Sequence, residues 1–224
     1  MIVAHDLGLV LEGRTILDDV SFEVGRGEAV ALVGANGSGK TSILRCLLGF
    51  VPFVGRATIE GHDVVQEPIV ARALIGYVPQ KAAFGDARAI DVLGFVAKLR
   101  FIERARVHAM LATVGLAAHA GERVRTFSGG MQQRLALAVA LLPDPPVVLF
   151  DEPTANLDRE GQHLFGALVG RLRHDGHTLL LASHRPDEVA GLTDRVVHLD
   201  RGRLAAAPAA PGRVLLFPSR GEHR

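Results

Sequence analysis

This sequence predicts an α/β fold built on a mostly parallel sheet, with a helical subdomain inserted into it. Three observations lead there. Short apolar strands alternate with helical stretches late in the chain: "VVLF" (147–150), a helix over 159–173, "TLLLAS" (178–183), a short helix near 187–192, and "RVVHLD" (195–200). The run Ala29–Val33 is apolar throughout, as a strand buried on both faces requires, and it leads straight into a glycine-rich turn and a helix. Residues 89 to 141 carry apolar residues at helical spacing in "IDVLGFVAKLR" and "RARVHAMLATVGL", with no convincing strand among them.

The remaining elements follow in order. Residues 2 to 33 punctuate like short strands, "IVAHDLGLVL", "ILDDVSFEV" and "EAVALVG", and further strands are expected at 56–61 and 74–79. The expected organisation is a core formed by 1–88 and 142–204, a helical subdomain at 89–141 and an Ala/Pro-rich tail at 205–224, read as a loosely ordered end.

Bulk properties narrow the function. A chain of 224 residues, 48% hydrophobic, is long enough for a substantial core. The net charge of +1 argues against a general nucleic-acid binder. Positive charge comes almost entirely from arginine, the lysines being Lys40, Lys81 and Lys98. The single Cys46 excludes an internal disulfide and fits a reducing compartment. No basic segment precedes an apolar core at the N-terminus, and no run approaches the roughly 20 apolar residues that span a bilayer. The expectation is a protein that does not cross a membrane on its own.

The strongest chemical signal is "GANGSGKT": Gly34, Ala35, Asn36, Gly37, Ser38, Gly39, Lys40 and Thr41, with Ser42 next. It satisfies the P-loop pattern and lies between a buried strand and a helix, as that pattern requires. Gly34, Gly37 and Gly39 let the backbone curl so that its N–H groups face phosphate oxygens, and the helix adds its N-terminal partial charge. Lys40 would reach the β- and γ-phosphates, and the Thr41 hydroxyl would ligate Mg²⁺. At the C-terminal edge of "VVLFDE", Asp151 would hold the Mg²⁺, partly through water, and Glu152 would act as general base on an attacking water.

The stretch "TFSGGMQQRLALAVALL" (126–142) poses a question. It reads as a buried helix, yet its first turn holds Gly129 and Gly130, each less favourable there than Ala by about 1 kcal/mol. The physical reason would be an approach to the backbone by something close.

That stretch also carries a resemblance. "FSGGMQQR", lying shortly before the "VVLFDE" strand, resembles the signature motif of ATP-binding cassette (ABC) ATPases. Gln80 in "YVPQ" resembles the Q-loop, "ANLD" (Ala155, Asn156, Leu157, Asp158) the D-loop, and His184 in "ASHRPDE" the switch histidine. Singly, Gln80 reads as a surface glutamine, His184 as a hydrogen-bonded structural histidine and Asp158 as a helix N-cap. Their order and spacing across residues 2 to 204 make the resemblance specific.

The resemblance implies a P-loop NTPase of ABC type with an N-terminal antiparallel β subdomain, hydrolysing ATP with Mg²⁺. It implies head-to-tail dimers, with the same chain or with a second cassette, in which Ser128, Gly129, Gly130, Met131 and Gln132 act on nucleotide held by the other subunit. Gln80 would join Thr41 and Asp151 around the metal, and His184 would contact the γ-phosphate beside Glu152. Two positions depart from the family pattern. Met131 stands where Gln is common, with Gln132 following. Leu11 stands where an aromatic usually stacks on adenine, and Phe22 is the one aromatic before Gly34 and looks like core.

A single cassette without appended domains resembles the ATPase subunit of a transporter whose integral membrane subunits are separate chains. That implies a peripheral protein on the cytoplasmic face, with no nucleic-acid partner. Soluble ribosome-acting members usually carry two cassettes in one chain. Chromosome-maintenance members separate their motifs by long coiled coils, whereas residues 42–127 show no sustained heptads. "LGFVAKLR", where the family docks its coupling helices, and "DRVVHLDRGRL" look more like exporter-type cassettes, and "IGYVPQ" is equally at home in metal-ion importers. The cargo is not encoded in this chain.

Overall fold

A computed structural model describes residues 1–155, 157–189 and 191–205. Asn156 of the expected D-loop and residues 206–224 of the expected tail lie outside the described residues.

Ten strands and seven α-helices are formed among the described residues. The N-terminal hairpin pairs β1 (Ile2–Leu11) with β2 (Arg14–Val24), and β4 (Val54–Ile59) and β5 (His62–Asp63) extend it into an antiparallel sheet of order β2-β1-β4-β5. The second sheet runs β10-β9-β3-β8-β7-β6. Its strands are β3 (Ala29–Val33), β6 (Ile75–Val78), β7 (Val147–Asp151), β8 (Thr178–Ser183), β9 (Arg195–Asp200) and β10 (Arg203–Ala205). All its pairings are parallel except β9 with β10.

The continuous apolar runs are explained by burial on both faces. In β3, Ala29, Ala31 and Val33 join one core while Val30 and Leu32 join the other. Strands β7 and β8 split likewise: Val148, Phe150, Leu179 and Leu181 face one way, and Val147, Leu149, Leu180 and Ala182 the other. The second core is closed by α1 (Lys40–Leu47) and the antiparallel sheet. The first is closed by α3 (Ala89–Leu99), α4 (Arg104–Thr113), α5 (Gly129–Leu141) and α6 (Arg159–His174). The sheet therefore holds the C-terminal ends of β3 and β7 side by side with β8 between them, and the glycine loop and Asp151 emerge at that edge.

Three elements go beyond the sequence reading. Helix α2 (Pro68–Ala73) carries proline in its first turn, and strands β5 and β10 are short. The helix expected near 187–192 is α7, Pro186–Val189.

Candidate nucleotide site

The glycine loop is shaped by contacts that exclude side chains. A Cβ on Gly34 would lie 2.2 Å from the Leu199 carbonyl oxygen, and Gly39 adopts φ +111° with the Leu17 side chain 2.8 Å from where a Cβ would be. Such packing admits glycine alone. Gly39 sits at the N-cap of α1 without any side-chain cap, so the first N–H groups of the helix keep no side-chain acceptor. The Ser38 Oγ within this loop is buried with no hydrogen-bond partner among the described residues. A loop with donors to spare and a lone buried hydroxyl fits an anionic ligand.

Lys40 lies buried at the start of α1. Its Nζ donates to the carbonyls of Gly34 (2.8 Å) and Ala35 (3.0 Å) and stands 3.5 Å from Glu152 Oε1. Next along the helix, Thr41 Oγ1 donates to Asp151 Oδ1 at 2.9 Å. Tyr77, on the neighbouring strand β6, donates to Asp151 Oδ2 at 3.4 Å. Burial pushes the Asp151 carboxyl above the usual carboxylate range, with the Thr41 hydrogen bond working against it. Burial, and then the charge of Asp151, push the Tyr77 phenol up to about 12. A buried carboxylate beside a hydroxyl, with Gln80 on the same cavity, is an oxygen donor set suited to a hard cation such as Mg²⁺.

Glu152 is held at φ +50°, a left-handed conformation that a non-glycine residue adopts at the expense of strain. Its N–H donates to the Ala182 carbonyl, which carries the sheet ladder one residue past β7. The turn brings its carboxylate to His184: Oε2 accepts from the His184 backbone N–H (3.3 Å) and lies 2.7 Å from His184 Nδ1. Lys40, Glu152 and His184 thus converge from α1, the end of β7 and the end of β8. The open cavity beside them, about 490 Å³, is lined by Ile16, Asn36, Gly37, Gly39, Lys40, Thr41, Ser42, Gln80 and Glu152.

The signature residues are elsewhere. Ser128 caps α5, its Oγ accepting from the Met131 N–H at 3.2 Å, and both Ser128 and Gly129 are exposed. Gly130, Met131 and Gln132 are half-buried, and the Gln132 amide donates to the Phe127 carbonyl. None of them lines the cavity of Lys40; Gly129 and Gln132 line a separate one, about 430 Å³, together with Gln80. Ala155 is exposed and Leu157 buried, and Asp158 caps α6 by accepting from the Gly161 N–H at 2.8 Å. Leu11 lies half-exposed at the end of β1, opposite Arg14.

Three residues at the site were not singled out in the sequence. Ile16 supplies an apolar wall to the cavity, Tyr77 supports Asp151, and Gln133 donates from α5 to the Pro79 carbonyl at 3.3 Å. Gln133 had one signal, a polar residue on the buried face of an otherwise apolar helix.

Comparison with known proteins agrees with this geometry. A family described as "ABC transporter" matches residues 17–155. The chain is 38% identical over 205 residues to Nod factor export ATP-binding protein I of Paraburkholderia xenovorans, covering 88% of this chain and 67% of that protein. It is 32% identical over 212 residues to linearmycin resistance ATP-binding protein LnrL of Bacillus subtilis, covering 92% and 68%. The solved structure of a bacterial Atm1-family ABC exporter with ATP bound superposes with a TM-score of 0.82 at 30% identity, over 92% of this chain and 38% of that one. With the phosphate loop, the buried Asp151 and the Glu152–His184 pair in place, the chain belongs to the ABC transporter family and is an ATP-hydrolysing nucleotide-binding domain of it.

Proposed function

We propose that this chain is the ATPase subunit of an exporter, working at the cytoplasmic face of a membrane against separate membrane-spanning subunits. The observation that carries the hydrolytic part is the convergence of Lys40, Glu152 and His184 beside the phosphate loop. Export is supported by the two relatives, one named for Nod factor export and one for linearmycin resistance. No helix among the described residues is long and apolar enough to cross a membrane, which accords with separate spanning subunits.

In this reading the loop 34–42 cradles the phosphates, and Lys40 exchanges its two loop carbonyls for phosphate oxygens. Thr41, Asp151 and Gln80 would hold Mg²⁺, directly or through water, and the ion would supply neutralisation of phosphate charge. Glu152 accepts a proton from the attacking water, and His184 keeps the Glu152 carboxylate aimed and contacts the γ-phosphate. The 89–141 segment presents its signature, Ser128 to Gln132, to nucleotide held by a second cassette, identical or not, while 1–88 and 142–204 hold nucleotide themselves. In the same reading the D-loop residues Ala155, Leu157 and Asp158 face that second cassette. Nucleic acid has no part in the cycle.

The test is to tag the Glu152→Gln protein in its native host, solubilise membranes in mild detergent and identify what co-purifies. A stoichiometric multi-span membrane protein is expected. Ribosomes in its place would overturn the transporter assignment, and normal ATP turnover by Glu152→Gln would remove Glu152 from its role.

A further inference from the structure

The turns that follow β7 and β8 are tied together twice. One tie is the contact of Glu152 Oε2 with His184 Nδ1 at 2.7 Å, inside the hydrolytic site. The other lies outside it. Thr154 Oγ1 donates to Glu188 Oε2 at 2.6 Å, joining a residue just past Glu152 to one on α7 just past His184. The second oxygen of that carboxylate, Oε1, lies 2.6 Å from the guanidinium of Arg185, the residue next to His184. Neither Thr154 nor Glu188 lines the cavity of Lys40.

The outer tie has a mechanical task. Glu152 sits at φ +50°, and a strained backbone persists only where its surroundings over-determine it. The turn is closed locally by the Ala155 N–H on the Glu152 carbonyl (3.2 Å) and the Leu157 N–H on the Thr154 carbonyl (3.1 Å). Those bonds hold the turn to itself and not to His184. On the facing side, the Arg185 N–H donates to Ser183 Oγ at 3.0 Å, which fixes the start of the turn that carries His184. Glu188 bridges the two. Its side chain is 16% exposed and Thr154 is buried, so the bond is shielded from water and made to a charged acceptor, both of which strengthen it. Helix α7 has its own anchorage: Val189 is fully buried, and the Thr193 hydroxyl and the Leu192 N–H both donate to the Val189 carbonyl. The Glu188 carboxylate therefore serves the two turns rather than the helix.

We propose that Glu188 is a positioning residue for hydrolysis: by accepting from Thr154 and pairing with Arg185, it holds the turn after β8 against the turn after β7 and keeps His184 on the Glu152 carboxylate. The assignment rests on the hydrolytic roles given above to Glu152 and His184.

Thr154→Val removes the donor at nearly constant volume. Assayed on the full chain well below its melting temperature, it is expected to lower kcat about tenfold, short of the roughly 100-fold that a 1 Å misplacement can cost. The KM for ATP and the binding of a fluorescent ATP analogue should be little changed, because the phosphate loop is untouched. Thr154→Ser keeps the donor and is expected to recover most of the lost turnover. Glu188→Ala removes the acceptor and should repeat Thr154→Val, which keeps the test decisive if one of the two is too unstable to assay. The remaining readout is a double-mutant cycle with His184→Ala, measured in single turnover with protein in excess so that slow variants can be read. His184→Ala is expected to be slow, and Thr154→Val added to it should slow it no further, since both changes remove one alignment.

The proposal is overturned by a normal kcat in Thr154→Val or Glu188→Ala, or by Thr154→Ser falling as far as Thr154→Val. It is overturned equally if the effects of Thr154→Val and His184→Ala multiply, since Thr154 then acts through packing and not through His184. Wild-type turnover in His184→Ala would instead remove the hydrolytic role of His184 on which the assignment rests.

Discussion

The side-chain amide of Gln133 reaches from the buried face of α5 to the carbonyl of Pro79, 3.3 Å away, and so ties the helix that opens at Ser128 to the residue preceding Gln80. Gln133 is 3% exposed, so this hydrogen bond is shielded from water. Removing one partner of a buried hydrogen bond leaves the other unsatisfied, at about 1–3 kcal/mol. Gln133→Leu keeps the volume and loses the bond. The expected result is a melting temperature lowered in keeping with that range and a fall in kcat that exceeds any change in KM for ATP. A variant with normal turnover would show that α5 and the Gln80 segment are positioned independently of this bond.

Ser128 has a different dependence. Its hydroxyl caps α5 by accepting from Met131, and it does not line the cavity of Lys40. Ser128→Ala should therefore remove a cap worth about 1 kcal/mol of stability. It should leave nucleotide binding to the chain's own loop unchanged and lower hydrolysis, which in the proposed dimer needs Ser128 on the facing subunit. Titration with a fluorescent ATP analogue, beside steady-state turnover, separates the two effects. Weakened binding in step with weakened turnover would place Ser128 at its own chain's site.

Ile16 is the apolar wall of the cavity, and Leu11 ends β1 at the position where, by the resemblance, an aromatic would add about 1–3 kcal/mol of stacking on the base. The expected preference for ATP over GTP is below about 100-fold, roughly 2.7 kcal/mol. Leu11→Tyr should tighten ATP binding within the stacking range. Competition between the two nucleotides measures both, and a preference above that limit in wild type would remove the argument from Leu11.

Which parts could be read from the sequence follows from what each segment buries. Strands β3, β7 and β8 are apolar at every position because the sheet is covered on both faces, so their patterns are unmistakable. The motif residues were legible because glycine-only geometry and strand-end carboxylates restrict the residue types allowed. Helix α2 was not, since Ile69 and Val70 are exposed and its six residues show no apolar stripe. Strand β10 is exposed throughout and held by backbone pairing to β9, which leaves no side-chain pattern. Tyr77, Ile16 and Gln133 matter through neighbours distant in sequence, and the one trace of those in the sequence is the polar Gln133 on the buried face of α5.

Acid should expose the contribution of a pair outside the site. Glu28, just before β3, accepts from Arg195 of β9 at 2.9 Å, and that bond holds its carboxyl below the ordinary value of 4.5. A depressed carboxylate stabilises the fold fully above its unfolded pKa and loses that contribution as pH falls through its folded value. Both partners are partly exposed, so solvent screening limits the pair to about 1 kcal/mol at most. Arg195→Met should therefore destabilise at neutral pH, and the difference from wild type should shrink as pH falls below 4.5. It should not vanish, because Arg195 also donates to the Glu23 carbonyl at 2.6 Å. Denaturant midpoints of both proteins across pH test this, and a difference constant with pH would assign the whole effect to packing and the Glu23 contact.

Cys46 offers a probe of the phosphate-loop helix. It lies on α1, within two turns of Lys40, and is fully buried. Burial pushes its thiol up to about 11, so the reactive thiolate is scarce at neutral pH and the sulfur is out of reach of reagent. A thiol reagent should then label the native protein only through opening of α1. Nucleotide bound at the loop stabilises the closed form by mass action. At 100 times its Kd it should slow labelling by about 100-fold, the equivalent of about 2.7 kcal/mol. Labelling unchanged by nucleotide would mean that Cys46 is reached through a movement that leaves the phosphate loop intact.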